Sequence, residues 1–395
     1  MRHRIPSERA RLAGIVWCVL ISQVLLYPGL EELIDALGVE TSLQAGMWFL
    51  VAEFTAFVLF AGVWGAISDT TGKRRRWIML GSSGGALAYI TLIVVAPYSI
   101  PFAAILAIRV LGGAFTIGAF SLGMTMLMDL TGGSGRNMGA AGIAIGLGAA
   151  LGSVIGGQLT AVNPLGPLYG GVFLLFTVVG IAATLTDRSP TTHLDIRTIV
   201  SGARTNSGLL ISYSFGFIDR LTAGFFALVG VWYFRDVFGV SAATAGLTLA
   251  LFFFPFALLQ YPFGTLSDRT GRFAPIIGGS LAYGIGIILI GIAPVYTVAA
   301  GLMVLIGVCG AFMAPATMAL VTDIASSTEH GVAMGGFNIF GSLGFLTGFL
   351  VGGVVVSTAN YTTAFLVVGG LELLIVTLTF PKVRRLTEKP RTPSN

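Results

Sequence analysis

The segment "GAISDTTGKRRR" (residues 65–76) closes a long apolar run and ends on four consecutive basic residues. Gly65 and Gly72 permit a tight turn and close packing of helix ends. Asp69, between them, can accept charge-assisted hydrogen bonds from helix-end amides or a nearby arginine. The pattern returns as "GTLSDRTGRF" (264–273), an offset of 199, with Gly264, Asp268, Arg269, Gly271 and Arg272. Two further stretches repeat at nearly the same distance. "VLGGAFTIGAFSLGMTMLMD" (110–129) matches "VLIGVCGAFMAPATMALVTD" (304–323) at 194, and Gly148, Gly152, Gly156 and Gly157 match Gly344, Gly348, Gly352 and Gly353 at 196. Three separate matches at nearly constant spacing read as an internal duplication.

The duplicated unit is built for lipid. Of 395 residues, 55% are hydrophobic and only 10% charged, and the 55 glycines sit in apolar surroundings; a soluble domain carries about 25% charged residues. Mean hydropathy is +0.90. Apolar runs of about 18–25 residues are long enough to span a bilayer as helices. Twelve are predicted, at 12–33, 43–67, 77–96, 101–127, 138–162, 167–186, 207–232, 243–266, 274–293, 297–321, 332–357 and 362–380. The basic start followed by an apolar run resembles a signal peptide but lacks a small-x-small cleavage site, so it reads as a retained first span. The polar stretch 187–206 divides the chain into six-span halves, 1–186 and 207–380, followed by a tail at 381–395. Repeats of this kind place a substrate path between the halves, near the bilayer midplane.

Lysine and arginine set the orientation. With the N-terminus inside, all but three of the 22 basic residues fall in cytoplasmic segments. Arg235 lies outside, among loops holding Glu31, Glu32, Asp35 and Glu40, and Arg109 and Arg220 lie within spans. Both termini are therefore expected inside. The net charge of +5 follows from topology and does not point to nucleic acid.

Gly65, Asp69, Gly72, Lys73 and Arg74, with their second copy, resemble the signature loop of the major facilitator superfamily. Thr70 stands where the family usually has a basic residue. The resemblance covers the whole chain. It implies twelve helices in two pseudo-symmetric six-helix bundles, and a cytoplasmic gate latched by the loop against an acid at the inner end of the fourth span. Asp129 holds that position and Asp323 is its counterpart. "AIRVLGG" (107–113) resembles a motif of proton-coupled members, its arginine being Arg109, and "GLGAALGSVIGG" (146–157) resembles the antiporter motif of the fifth span with Ser153 in place of proline. The four-residue glycine spacing gives a smooth face for close helix approach, expected at the boundary between halves. Where many antiporters carry an acid in the first span, this chain offers only Gln23 and Tyr27.

Charges inside apolar spans are expensive and need partners. Glu53 and Arg109 lie at similar depth and are expected to be linked, with Glu53 a candidate proton carrier. Asp219 and Arg220 fall at the middle of the seventh span. Consecutive helix residues point about 100° apart, so one is expected to face the cavity and the other a neighbouring helix, with Glu53 as a partner for Arg220. Glu372, in a peripheral span, is expected to be structural. Helix number and residue type suggest Gln23, Tyr27, Tyr213, Phe252, Gln260, Phe312 and Asn338 as cavity residues, a mainly apolar set.

The absence of a G-x-x-x-x-G-K-[ST] loop, with "GGSGRN" (132–137) no substitute, argues against ATP-driven pumping. His3, His193 and His330 form no zinc motif, and no nucleophile–base constellation stands out, so no cofactor, metal or enzymatic chemistry is expected. Cys18 and Cys309 read as small buried hydrophobes. The resemblance implies a monomeric multi-pass transporter of the plasma or inner membrane that exports small lipophilic or amphipathic molecules in exchange for protons. The alternatives are coupled uptake or exchange of an organic anion or sugar, with Arg109 or Arg220 binding the anion, and a non-transporting membrane sensor.

Overall fold

The structure, a computed structural model, describes residues 4–130, 134–187, 207–325 and 330–387. Nearly all of 187–206, the tail from 388, His3, His193 and the start of "GGSGRN" lie outside them. The described chain is helical: α1 (Arg4–Val24), α2 (Leu30–Ala36), α3 (Leu43–Thr71), α4 (Arg74–Val95), α5 (Phe102–Met128), α6 (Ser134–Val162) and α7 (Gly166–Ala183), then α8 (Ser207–Phe225), α9 (Val231–Phe238), α10 (Ala242–Thr270), α11 (Phe273–Gly291), α12 (Tyr296–Ile324), α13 (His330–Thr358) and α14 (Tyr361–Thr387).

Local chemistry sets these boundaries. Ser42 and Ser241 open α3 and α10 by accepting from the amides of Ala45 (3.1 Å) and Thr244 (3.3 Å). The same two helices end on Gly72 (φ 64°) and Gly271 (φ 91°), a left-handed backbone that residues with a Cβ rarely adopt. Gly72 and Gly271 are thus helix stops. Gly65 and Gly264, against the expectation of a turn and close packing there, lie inside α3 and α10. A Cβ would meet nothing within 4 Å at Gly65 and only Pro315 at 3.6 Å at Gly264. Three expectations need correction. The first span does not run to 33: Pro28, which has no amide to donate, and Gly29 break it after Val24, and α2 starts anew. The seventh is longer than expected, since a π-helical turn (Phe226–Gly230) joins α8 to α9 and carries the helix to Phe238. Residues 381–387 are also helical, because the fixed φ of Pro381 fits a helix and Val383 is buried beyond it.

Among the described residues, eleven helices are long and apolar enough to cross a membrane. The start of α1 carries Arg4, Glu8, Arg9 and Arg11, and its composition leaves it out of that set. Leu59, Phe173, Tyr261 and Leu378 are each more than 60% exposed, an apolar exterior that suits lipid.

Before residue 188, α1 packs on α5, α6 and α7, α3 packs on α5, and α4 packs on α5 and α7. After 206, α8 packs on α13, α10 on α12, and α11 on α12 and α14. Two seams join these groups, α6 against α10 and α3 against α13. Gly208–Phe238 is the most buried of the long apolar helices. Charges in the α8 part of that helix therefore sit deep in the molecule.

Candidate functional site

At the signature-loop end, Arg74 is 2% exposed and bridges Asp69 (3.3 Å) and Asp129 (2.5 Å). The second copy does the same: Arg272 bridges Asp268 (2.6 Å) and Asp323 (3.0 Å) and donates to the Ser267 hydroxyl at 2.9 Å. Burial disfavours the charge of Arg272, but its bonds to Asp323 and Asp268 prevail and hold its pKa above the usual value. Each loop is clamped to the end of its own neighbouring helix, α5 or α12. Lys73 and Arg269 are exposed. Asp187 accepts from the Arg75 amide at 2.7 Å, at the N-terminus of α4.

Glu53 of α3 and Arg109 of α5 form a direct ion pair, each 1% exposed. Arg109 also donates to the Phe49 carbonyl at 3.4 Å and lies over the Phe49 ring at 4.3 Å and the Tyr89 ring at 5.8 Å. Gly113 makes room for this pairing, since a Cβ there would stand 2.6 Å from the Glu53 carbonyl oxygen. The next residue, Phe54, reaches across the α3–α13 seam to stack on Phe345 at 4.8 Å and meet Phe349 edge-on at 5.1 Å. The buried pair thus adjoins a contact between the two groups of helices.

Asp219 and Arg220 depart from expectation. Arg220 folds back along α8 until its Nε is 3.8 Å from Asp219 Oδ2. The 100° between their Cα–Cβ directions is offset by the length and flexibility of the arginine side chain. Asp219 is 9% exposed, whereas the Arg220 side chain is 39% exposed. Glu53, the expected partner of Arg220, is taken by Arg109.

The packing glycines also work differently. A Cβ at Gly156 would stand 2.2 Å from the Leu25 carbonyl, and Gly148 and Gly152 likewise meet residues of α1. A Cβ at Gly344 or Gly348 would stand 2.0 or 2.1 Å from the Phe217 or Leu221 carbonyl of α8, and one at Gly352 would meet Phe225 and Val229. These rows therefore lie within each group of helices. Only the fourth member faces the seam: a Cβ at Gly157 would stand 2.5 Å from the Ala242 carbonyl, and one at Gly353 would meet Met47. Positions four apart share a helix face, and the next residue is turned about 100° away.

The seven cavity candidates are not brought together. Gln23 and Tyr27 are buried, the Gln23 amide nitrogen without a hydrogen-bond partner among the described residues. Tyr213 lies in a separate apolar cluster with Leu209, Val321, Ala333 and Phe337. Phe252 is fixed among Phe226, Phe253, Phe256 and Tyr283. Phe312 packs on Phe263 at 5.2 Å, Gln260 approaches Gly142 of α6, and Asn338 is exposed. Residue type and helix number do not say which face of a helix a side chain occupies.

The sequence reading missed one cluster. At the end opposite the signature loops, Arg235 of α9 donates both terminal nitrogens to Glu32 of α2 at 2.6 Å, lies 3.1 Å from Glu31 and reaches the Pro28 carbonyl at 3.4 Å. Burial pushes the Glu31 carboxyl above the usual range. Arg235 opposes this, while Glu32, Asp236 and Asp35 add to it. The signal was the one basic residue outside, facing a run of acids.

Comparison with known proteins agrees with the fold. The chain is 31% identical over 168 residues to an uncharacterized MFS-type transporter of Methanocaldococcus jannaschii, a match covering 40% of this chain and 43% of that protein. A multidrug resistance protein MdtG of Enterobacter lignolyticus is 26% identical over 96% of this chain and 94% of its own. A solved bacterial homologue of the human lysosomal transporter Spinster, in an inward-facing and unoccupied conformation, superposes with a TM-score of 0.78 at 14% identity, covering 98% of this chain and 99% of that one. The Major Facilitator Superfamily family model matches residues 12–204 and 209–395, nearly the whole chain, so this integral multi-pass protein belongs to that superfamily of transporters.

Proposed function

We propose that this transporter exports small lipophilic or amphipathic molecules in exchange for protons, by alternating access between two six-helix halves, 1–186 and 207–380, joined by 187–206. In this reading α1 supplies the twelfth crossing, both termini are cytoplasmic, and the protein works as a monomer in the plasma membrane. The buried Glu53–Arg109 pair carries the proposal. Two charges are stable out of water only while paired, so protonating Glu53 leaves Arg109 without its counter-charge and favours the arrangement that rehydrates it. Phe54, one residue on, passes the change to Phe345 and Phe349 across the α3–α13 seam. The full-length likeness to a multidrug resistance protein supports an efflux substrate. Uptake of an anion is less favoured, because Arg109 and Arg220 each already face a carboxylate.

The test is flux in proteoliposomes with an imposed pH gradient, comparing wild type with Glu53→Gln and Asp219→Asn. Wild type should move labelled lipophilic cations against proton flow, and both variants should lose the dependence on the gradient. Unchanged gradient-driven flux in both variants would refute the coupling assignment. Accumulation of labelled carboxylates by wild type, with no proton release on adding lipophilic cations, would refute export.

A further inference from the structure

Glu372 of α14 is fully buried, and neither of its carboxylate oxygens accepts a hydrogen bond of ordinary geometry among the described residues, although the Ser280 hydroxyl lies beside them. Helix register explains what surrounds it. The Phe225 and Phe365 rings meet edge-on at 4.9 Å between α8 and α14. Six residues back from Phe225 is Asp219, and seven on from Phe365 is Glu372. Since α8 and α14 cross in opposite senses, this brings the two acids to one level. On the other side, α11 comes so close that a Cβ at Gly284 would stand 3.1 Å from the Gly369 carbonyl and 3.0 Å from Leu373.

The groups facing Glu372 come from two helices, α8 and α11, with α12 behind them. From α8 it feels the Asp219 charge, with Arg220 beside Asp219. From α11 come Ser280 and Tyr283, and Tyr283 feels both carboxyls and Cys309 of α12. Ser280 donates to the Met313 sulfur at 2.5 Å. Thr222 lies beside Tyr283, yet neither hydroxyl makes a hydrogen bond of ordinary geometry. All of these residues are buried except Arg220. Two carboxyls and two hydroxyls without an ordinary hydrogen bond thus belong to one group, in which Arg220 lies beside Asp219 and, among the described residues, nothing pairs with Glu372. An ionised Glu372 there would be a buried charge without a counter-charge, which desolvation strongly disfavours.

We propose that Asp219 and Glu372 form a second proton-binding site, separate from Glu53 and Arg109, with Asp219 as its mouth and Glu372 as its interior. It rests on the reading that this chain couples transport to protons. Protons enter past Arg220, whose side chain is the exposed member of the group. Tyr283 and Thr222 relay them inward, each hydroxyl able to donate to one carboxyl and accept from another group.

The test is infrared difference spectroscopy of the purified full-length protein in lipid nanodiscs, titrated with protons in sodium chloride and again in choline chloride. Wild type should show a neutral-carboxyl C=O band near neutral pH. The band should be lost in Glu372→Gln and shifted in frequency by Tyr283→Phe, and Asp219→Asn should shift the pH at which it disappears. A band unchanged in Glu372→Gln, or one bleached by sodium at constant pH, would overturn the site. Should Glu372→Gln fail to fold, Tyr283→Phe carries the test, and an unmoved band overturns the site. Loss of proton-driven flux in the wild type with the Glu372 band intact would refute the coupling and leave this site standing. Intact coupling with no such band would overturn this site alone.

Discussion

Arg235 and Glu32 are 203 positions apart in the chain and joined by two parallel hydrogen bonds of 2.6 Å. The bonds tie α9 to α2, and so link the two groups of helices at the end opposite the signature loops. The clamps at the other end, by contrast, each join elements of a single group.

Arg235→Gln should therefore loosen that end. Partly exposed ion pairs contribute about 0.2–1 kcal/mol each, so loss of the two made by Arg235 should lower the closed-to-open ratio about twofold to thirtyfold. Spin labels at Glu40→Cys and Val237→Cys, with Cys18 and Cys309 replaced, would read this as a longer distance. The exchanged pair Arg235→Glu with Glu32→Arg should restore the distance. Unchanged distances in Arg235→Gln would rule out a clamp.

The same end should respond to pH through Glu31. Its carboxyl is raised in the closed arrangement, mainly by burial, and returns toward its ordinary value of about 4.3 when the end opens. A group raised in one state favours that state below its ordinary pKa, and the benefit is lost as pH rises through the raised value. Glu31→Gln, which stays neutral, should remove this part of the pH response and keep the end closed as pH rises from about 4 to about 7. The same label pair measures it, and a pH response identical to wild type would sink the assignment.

Removing one member of the Glu53–Arg109 pair should destabilise the protein by about 3–5 kcal/mol, because the other charge stays buried. Replacing both with leucine should cost clearly less than the two single losses added together. Thermal unfolding in detergent decides it, and strict additivity would show that the pair is not energetically coupled.

Gly156 and Gly157 should behave differently although they are adjacent. An alanine at Gly156 meets the Leu25 carbonyl inside one group of helices, and at Gly157 it meets Ala242 across the seam. Gly156→Ala should lower stability by about 1–3 kcal/mol and leave disulfide formation between Gly142→Cys and Gln260→Cys intact. Gly157→Ala should reduce that crosslink instead. Equal crosslink yields in the two variants would contradict the division of faces.

Most helices were readable from the sequence because apolar length is nearly sufficient in lipid. Errors fell where composition is silent. Pro28 ends α1, yet Pro381 sits inside α14, and which occurs depends on what the following residues pack against. The duplicated spacing singled out Asp69 and Asp268, and the family resemblance implied their latch to Asp129 and Asp323, whereas neither located cavity residues such as Phe252 and Asn338, since a face is set by tertiary packing. Arg220 turning back on Asp219 depends on a rotamer, which the order of residues does not encode.

The two clamps also carry a lesson about the repeat. Arg74 stands five residues after Asp69 and is the first residue of α4, while Arg272 stands four after Asp268 and precedes α11. Superposing the halves letter by letter at 199 lays Arg272 on Lys73 and sets Phe273 where Arg74 belongs. The copies agree as shapes but disagree as text. A chimera in which residues 264–273 replaced 65–74 along that alignment would put a phenyl ring between two aspartates, and one cut a single residue earlier would keep Arg74 in place.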